Sequence, residues 1–343
     1  MTDLSIDNYW SPDGPEVILL ISHEPSYRQL PLAEIGQAAA THAREWMSLY
    51  GHGVNLPPAF FADFGTITMA KPWGGRVEIS SEGRPFIHPA AQSLEEALEI
   101  EPVENPDLAE SLALFETVRE ASGIANLGFK TPDFQGVLNT AALVLDQEAL
   151  LSGMIEEPEL VHRFLDRVCE VNLKFMTRLQ AAAGRTDGNI WPYIWLPAQF
   201  GVGITEDMMP LLGVDAYREF GVPYLKRIAN AFNGVFIHCC GEWARHAPTL
   251  AGSGITIRGV EFHHPFTRFD DLRHTLPGAV VVPFYAAFKS NEFPDQPAFV
   301  RDLLTRREKG QRLAIATTDA DPALPAVREW VLSFGGVVPD RLV

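Results

Sequence analysis

A chain of 343 residues, 46% hydrophobic and 21% charged, can bury a sizeable core as one large domain or two average ones, with no metal or disulfide needed to hold it. Its net charge of −17 repels phosphate backbones and anionic lipid, which excludes nucleic acid and membrane surfaces and leaves a small molecule as the expected substrate. Three cysteines, two of them adjacent, exclude a disulfide framework.

The opening stretch "MTDLSIDNYWSPDG" has no basic region followed by an apolar run. The longest apolar runs, "PEVILLIS" and "AVVVPFYAAF", are too short to span a bilayer, so a cytoplasmic protein is expected. Residues 30–50 repeat apolar side chains at helical spacing, and "PPAFFADFG" (57–65) is a short apolar run stopped by glycine. "SLEEALEI" opens with a serine cap and a glutamate three positions on, the signature of a helix start. Helix continues over 107–122, and "GIANLGF" (123–129) reads as a strand. A long helix over 157–184 has proline near its first turn and glycine at its end. "NIWPYIW" (189–195) is a strand or extended turn, and 213–234 reads as one helix or as two broken near Pro223.

From there strands and helices alternate. "VFIHCC" precedes a helix from about 242, "IRGVEF" a helix near 268–275, "AVVVPFY" a helix at 297–309, and "RLAIAT" a last helix at 323–333. No repeat of fixed period and no Gly/Ser-rich linker divides the chain. Strand–helix alternation with runs apolar on both faces predicts parallel strands joined by crossover helices. Roughly eight strand candidates suit a closed (β/α)8 TIM barrel, with residues 1–55 as an N-terminal helical extension of a single domain over 1–343. A doubly wound open sheet is the alternative. Neither G-x-G-x-x-G after a strand nor G-x-x-x-x-G-K-[ST] occurs to support it.

The chemistry concentrates in "FIHCCGEW" (236–243). Side chains alternate along a strand, so His238 and Cys240 share one face while Cys239 faces the helices as a small apolar filler. An imidazole and a thiolate two apart at a strand end can hold one zinc ion. Without a metal, the same residues are a hydrogen-bonded core histidine and two packed thiols. Glu261, 21 positions after Cys240, is about one helix and one strand further on, and offers a carboxylate at the same mouth; its plainer role is a salt bridge to Arg258 or Arg268. His263 and His264 are further ligand candidates or a solvated pair. Glu206 and Asp207 in "TEDMM" are candidates for positioning an acceptor or carrying protons, and Asp133 in "KTPDFQG" for lining the mouth or carrying a proton. Their plainer roles are helix-start carboxylates and a turn residue. Trp191, Tyr193, Trp195, Phe262 and Tyr285 could wall an aromatic pocket, with Trp195 and Tyr285 the candidates for contact with a cofactor.

These stretches, in order, resemble the uroporphyrinogen decarboxylase superfamily over most of the chain. "ADFGTITMAKPWGGRVEI" with "PFIHPAAQSLEEALEI" is similar to the family's first strand region, and "LGFKTPDFQGVLNTAAL" to its Gly-Phe-x-x-Pro segment. "ITEDMMPLLGVDAYREFGVPYLKRI" and "FIHCCGEW" resemble its following helix and its His-x-Cys-Gly strand end. The resemblance implies a (β/α)8 barrel and two functional branches. The metal-free decarboxylases use an Arg-Gln-Ala-Gly-Arg stretch, where this chain has only "SYRQLPL". The zinc methyltransferases move a methyl group from a corrinoid carried by a partner protein to a thiol or similar acceptor. That second branch is the nearer one. It implies zinc on His238, Cys240 and Glu261, in a monomer or homodimer. The family's second cysteine ligand falls near Thr318, where no cysteine stands, so Asp319 or Asp321 is expected to replace it. A metal-independent lyase acting on a small acid, or a non-catalytic ligand-binding barrel, are the alternatives.

Overall fold

The apolar runs become parallel strands: β1 (Val17–Ser22), β2 (Ala59–Phe61), β3 (Gly128–Lys130), β4 (Val202–Thr205), β5 (Val235–Cys239), β6 (Ile257–His264), β7 (Val280–Tyr285) and β8 (Arg312–Thr318). They are seen in a computed structural model that describes the chain apart from residues 1–2, 12, 24–29, 31, 62, 82, 184–185, 189–194, 273, 277 and 287–290. Six strands form one wholly parallel sheet in the order β1-β8-β7-β6-β5-β4. β2 and β3 pair in a second sheet, which Thr186–Gly188 and Leu196–Pro197 extend.

Two seams connect the sheets. Thr205 at the end of β4 bridges to Gln135 beyond β3. Ile21 of β1 accepts backbone hydrogen bonds from Asn55 and Leu56 at 3.1 and 3.2 Å, and its own N–H donates to Asn55 Oδ1 at 2.7 Å. Among the described residues the strands pair as two sheets and not as one closed ring of eight. The architecture is mixed α/β around a six-stranded parallel sheet.

Parallel neighbours need crossovers, and helices supply them. They are α1 (Leu32–Leu49), α2 (Pro106–Ser122), α3 (Val137–Val144), α4 (Pro158–Ala183), α5 (Val214–Phe220), α6 (Val222–Ala231), α7 (Ala247–Gly252), α8 (Gln296–Arg306) and α9 (Leu324–Ser333). Every residue of β1, β4 and β5 is buried, so these strands are covered on both faces. α4 turns Val161, Phe164, Leu165, Val168 and Phe175 inward at helical spacing, each worth about 1.5–3 kcal/mol of burial. The expected serine cap is made: Ser93 Oγ accepts the Glu96 N–H at 3.3 Å, while Glu96 reaches back to the Gln92 N–H at 2.7 Å. α2 starts at Asn105–Pro106 and stops at Gly123, whose φ of 70° frees its N–H for the carbonyls of Arg119 and Glu120.

Two expectations are corrected, and the expected break within 213–234 is located. Residues 1–55 are not only a helical extension: β1 lies within them, because "VILLIS" is apolar on both faces and is buried between β8 and Asn55. The helix at 213–234 breaks at Gly221, since Pro223 sits in the first turn of α6, where its missing N–H costs nothing. The helix near 268–275 shortens to Phe269–Leu272. "NIWPYIW", except for Trp195, lies outside the described residues, and with it the aromatic candidates Trp191 and Tyr193; so does most of "SYRQLPL". Among the described residues no helix is long and apolar enough to cross a membrane.

Candidate metal centre

Because the six strands are parallel, their C-terminal ends share one edge of the sheet, and the chemistry gathers there. His238 near the end of β5 stands in register with Glu261 of β6 on one side and Thr205 of β4 on the other. β5 ends at Cys239, fully buried, and Cys240 is exposed just beyond it. The turn that follows needs glycine, because a Cβ on Gly241 would lie 2.6 Å from the Pro210 ring. Thr267 clamps this turn: its hydroxyl donates to the Gly241 carbonyl at 2.9 Å and accepts the Trp243 N–H at 3.1 Å.

His238 Nδ1 and Glu261 Oε2 are 2.8 Å apart, and both residues are buried. Burial disfavours the imidazolium, but the neighbouring carboxylate outweighs it and holds the His238 pKa well above the ordinary histidine range. Burial would raise Glu261 too; the charge and hydrogen bond of His238, with His263 adding to them, bring it down to about 2. Glu261 Oε1 lies 3.7 Å from His263 Nε2. The other partners considered for Glu261 are engaged elsewhere: Arg258 with the carbonyls of Phe200 and Asn233, Arg268 with Glu292. His264 turns the opposite way from His263 and meets Glu292 at 3.2 Å, as alternation along β6 dictates.

On the other flank, Asp207 Oδ1 accepts the Cys240 N–H at 2.9 Å. Asp133 accepts the Thr205 hydroxyl at 2.9 Å. Burial pushes the Asp133 carboxyl up to about 6, against the opposing pull of Thr205 and of His238. Two overlapping ligand sets result, Asp207–His238–Cys240 and His238–Glu261–His263, each with one donor atom per residue within 4.8 Å of the others. Imidazole, thiol and carboxylate form a donor set that suits zinc. The short His238–Glu261 bond gives the imidazole a fixed orientation of the kind that metal-bound histidines have.

Not every sequence candidate comes to this place. The Glu206 backbone is tied to it, its N–H donating to the His238 carbonyl at 2.8 Å. Its side chain leaves toward the helices and accepts the Tyr217 hydroxyl at 3.2 Å. Burial there raises it to about 8. Asp319 belongs to neither ligand set and pairs with His23 at 2.8 Å, while Asp321 accepts from Thr317 and the Ala323 N–H. Strand alternation is the reason for Glu206, which points to the side opposite its neighbour Asp207; Asp319 meets His23 because β8 lies beside β1 in the sheet. Trp195 is fully buried, its carbonyl receiving Trp10 Nε1–H at 3.1 Å. Tyr285 stacks on Phe299 and donates its hydroxyl to the Phe293 carbonyl at 2.7 Å. Phe262 is fully buried. From the sequence Asp207 was a candidate for positioning an acceptor or carrying a proton, not a ligand, and Thr205 and Thr267 were missed; a hydroxyl beside a strand end was the sole signal for the two threonines.

No protein-family model matches this chain, and no curated protein does. Among solved structures it is similar to a methyltransferase from Methanosarcina mazei, with a TM-score of 0.66, 14% identity and 96% of each chain covered. It also aligns with Dispersin B at a TM-score of 0.36 and 9% identity, over 93% of this chain and 96% of that one. The first likeness shows a shared fold across almost the whole length of both chains.

Proposed function

We propose that this chain is a methyltransferase that holds a zinc ion through His238 and Cys240, with Asp207 or Glu261 completing the protein ligands, and transfers a methyl group between a corrinoid on a separate protein and a small acceptor. The observation that carries the reading is the histidine–thiol–carboxylate cluster at the C-terminal edge of the parallel sheet, where enzymes of barrel type keep their active sites. The full-length likeness to a methyltransferase fold supports it. The reading takes the two sheets as walls of one eight-stranded barrel, supported by the Thr205–Gln135 bridge and the hydrogen bonds from Ile21 to Asn55.

Held by His238 and Cys240, a zinc ion would supply Lewis acidity that lowers the pKa of the acceptor, whose anion could then take the methyl group as the corrinoid's cobalt–carbon bond breaks and the electron pair stays with the cobalt. The residues do the rest. Glu261 fixes the His238 ring, and Asp207 holds the Cys240 backbone, so the donor atoms are placed before an ion arrives. Asp133, with its carboxyl raised to about 6, can hold or release a proton beside the acceptor near neutral pH. The same property favours the second reading, a lyase on a small carboxylic acid in which Asp133 is the proton carrier and no metal takes part.

Metal analysis of the purified chain and a methylcobalamin assay against a panel of thiols test the first reading. Zinc at one equivalent or more with thiol-dependent demethylation of the corrinoid is the expected result, with one equivalent of zinc and the activity lost in Cys240→Ser. A chain that binds no zinc overturns it.

A further inference from the structure

A second group of ligating side chains stands on the same sheet edge, at β1 and β8. His23 follows β1 and Asp319 follows β8, and the two strand ends are locked together: Thr318 is in register with Ser22, and the Asp319 N–H donates to the Ser22 carbonyl at 3.0 Å. His23 Nδ1 meets Asp319 Oδ2 at 2.8 Å. That leaves Nε2 as the open nitrogen of the ring, 3.9 Å from Glu45 Oε2. Glu45 lies three residues after His42 on α1, so both project from one face of that helix. The His42 ring is stacked on His23, with centroids 4.5 Å apart and planes 9° from parallel. One donor atom each from His23, His42 and Glu45 lies within 4.8 Å of the others.

We propose that His23, His42 and Glu45 bind a divalent transition-metal ion, with Asp319 as the carboxylate that orients His23. Each part of the geometry has a place in such a site. A histidine that gives one ring nitrogen to a carboxylate presents the other, in a fixed tautomer and direction, to a metal. Two imidazoles and one carboxylate are the donors of open three-ligand zinc and iron(II) sites, which keep positions for water or a small ligand. Glu45 is exposed, His23 half-buried and His42 buried, so the group runs from the surface into the protein. Four side chains from β1, α1 and β8 converge, with a register-locked strand pair beneath two of them. The set contains no thiol, so it is harder than the His238–Cys240 set and shares no residue with it. β7 lies between the two strand pairs in the sheet.

Cobalt(II) titration of the chelator-stripped chain separates the two sites, because a thiolate ligand adds an intense near-ultraviolet charge-transfer band that nitrogen and oxygen ligands do not. Cys240→Ser should still bind one equivalent of cobalt(II), with visible d–d absorption and no thiolate band. Adding Glu45→Gln in that background should weaken the remaining equivalent by about tenfold or more. Glu45 is exposed, so this substitution does not put the fold at risk. Asp319→Asn should weaken it less. If Cys240→Ser binds no cobalt(II), or if Glu45→Gln leaves the residual binding unchanged, the cluster is a packing contact between strand ends and helix, and the proposal fails. A thiolate band in the unsubstituted chain reports on the His238–Cys240 reading separately.

Discussion

Two neighbouring pairs, Glu206–Asp207 and Cys239–Cys240, show opposite fates for adjacent residues of the same chemistry. Glu206 and Cys239 turn inward to the helix layer beside the Tyr217 hydroxyl, where burial raises the acid to about 8 and pushes the thiol above its ordinary range. Asp207 and Cys240 come to the open edge, joined by a hydrogen bond and standing within ligand distance of His238. Residue type does not separate the two groups; the direction of the side chain at the strand end does. An acid buried among apolar groups stays protonated, while one that faces a histidine and open solvent can ligate or move a proton.

Four substitutions press on this contrast. The largest effect belongs to Cys240→Ser, which should lose the metal held beside His238 and abolish methyl transfer, because a neutral hydroxyl is a far poorer zinc ligand than a thiolate; loss of the cobalt(II)–thiolate band reads it directly, whatever metal His23, His42 and Glu45 retain. Glu261→Gln comes next. It removes the carboxylate that orients His238 and should weaken metal binding about 10–100-fold in competition with a chromogenic chelator, with the fold intact by circular dichroism.

Glu206→Gln should leave metal binding alone and change the pH dependence of stability instead. The folded-state pKa of about 8 lies above the ordinary 4.5. The stability this group contributes is complete below about 4.5 and is lost as pH rises through 8. The unsubstituted chain should lose roughly 3–5 kcal/mol from this group between pH 4.5 and 9. Urea melts across that range should show a flatter curve for Glu206→Gln, and an unchanged slope would mean that Glu206 is ionised in place. The smallest effect is that of Cys239→Ser: metal retained, and a loss of about 1–3 kcal/mol in the same melts from burying a hydroxyl where a thiol packed. If Cys239→Ser strips the metal and Cys240→Ser does not, the two faces have been assigned the wrong way round.

Much of this edge was legible in the residues themselves. "VFIHCC" and "IRGVEF" are apolar runs of strand length, and the 21 positions from Cys240 to Glu261 leave room for one helix and one strand; the structure sets Glu261 in register with His238. The alternation that put Cys239 on the helix side was readable by the same rule, and applied to Glu206–Asp207 it would have split them as well. What could not be read was which distant element meets each side chain. Asp319 has an apolar strand before it and a helix after it whichever histidine it faces; its pairing with His23 depends on β1 being its sheet neighbour. β1 itself was hidden inside a presumed helical extension, because five apolar residues in a row have no periodicity to tell strand from helix. How the two sheets meet is likewise decided by long-range hydrogen bonds such as those of Ile21 and Asn55, which leave no pattern in the chain.

The pairing of β1 with β8 also sets a clock. Ser22 and Thr317 are 295 positions apart, yet they touch in the finished sheet. During synthesis at 5–20 residues per second, β1 leaves the ribosome roughly 15–60 s before its partner exists. Throughout that interval "VILLIS", every residue of which ends buried, carries a strand edge with no neighbour on the β8 side. Such an edge is a template for pairing with other chains. So distant a contact closes slowly, and substitutions in this segment are expected to lower the yield of folded chain.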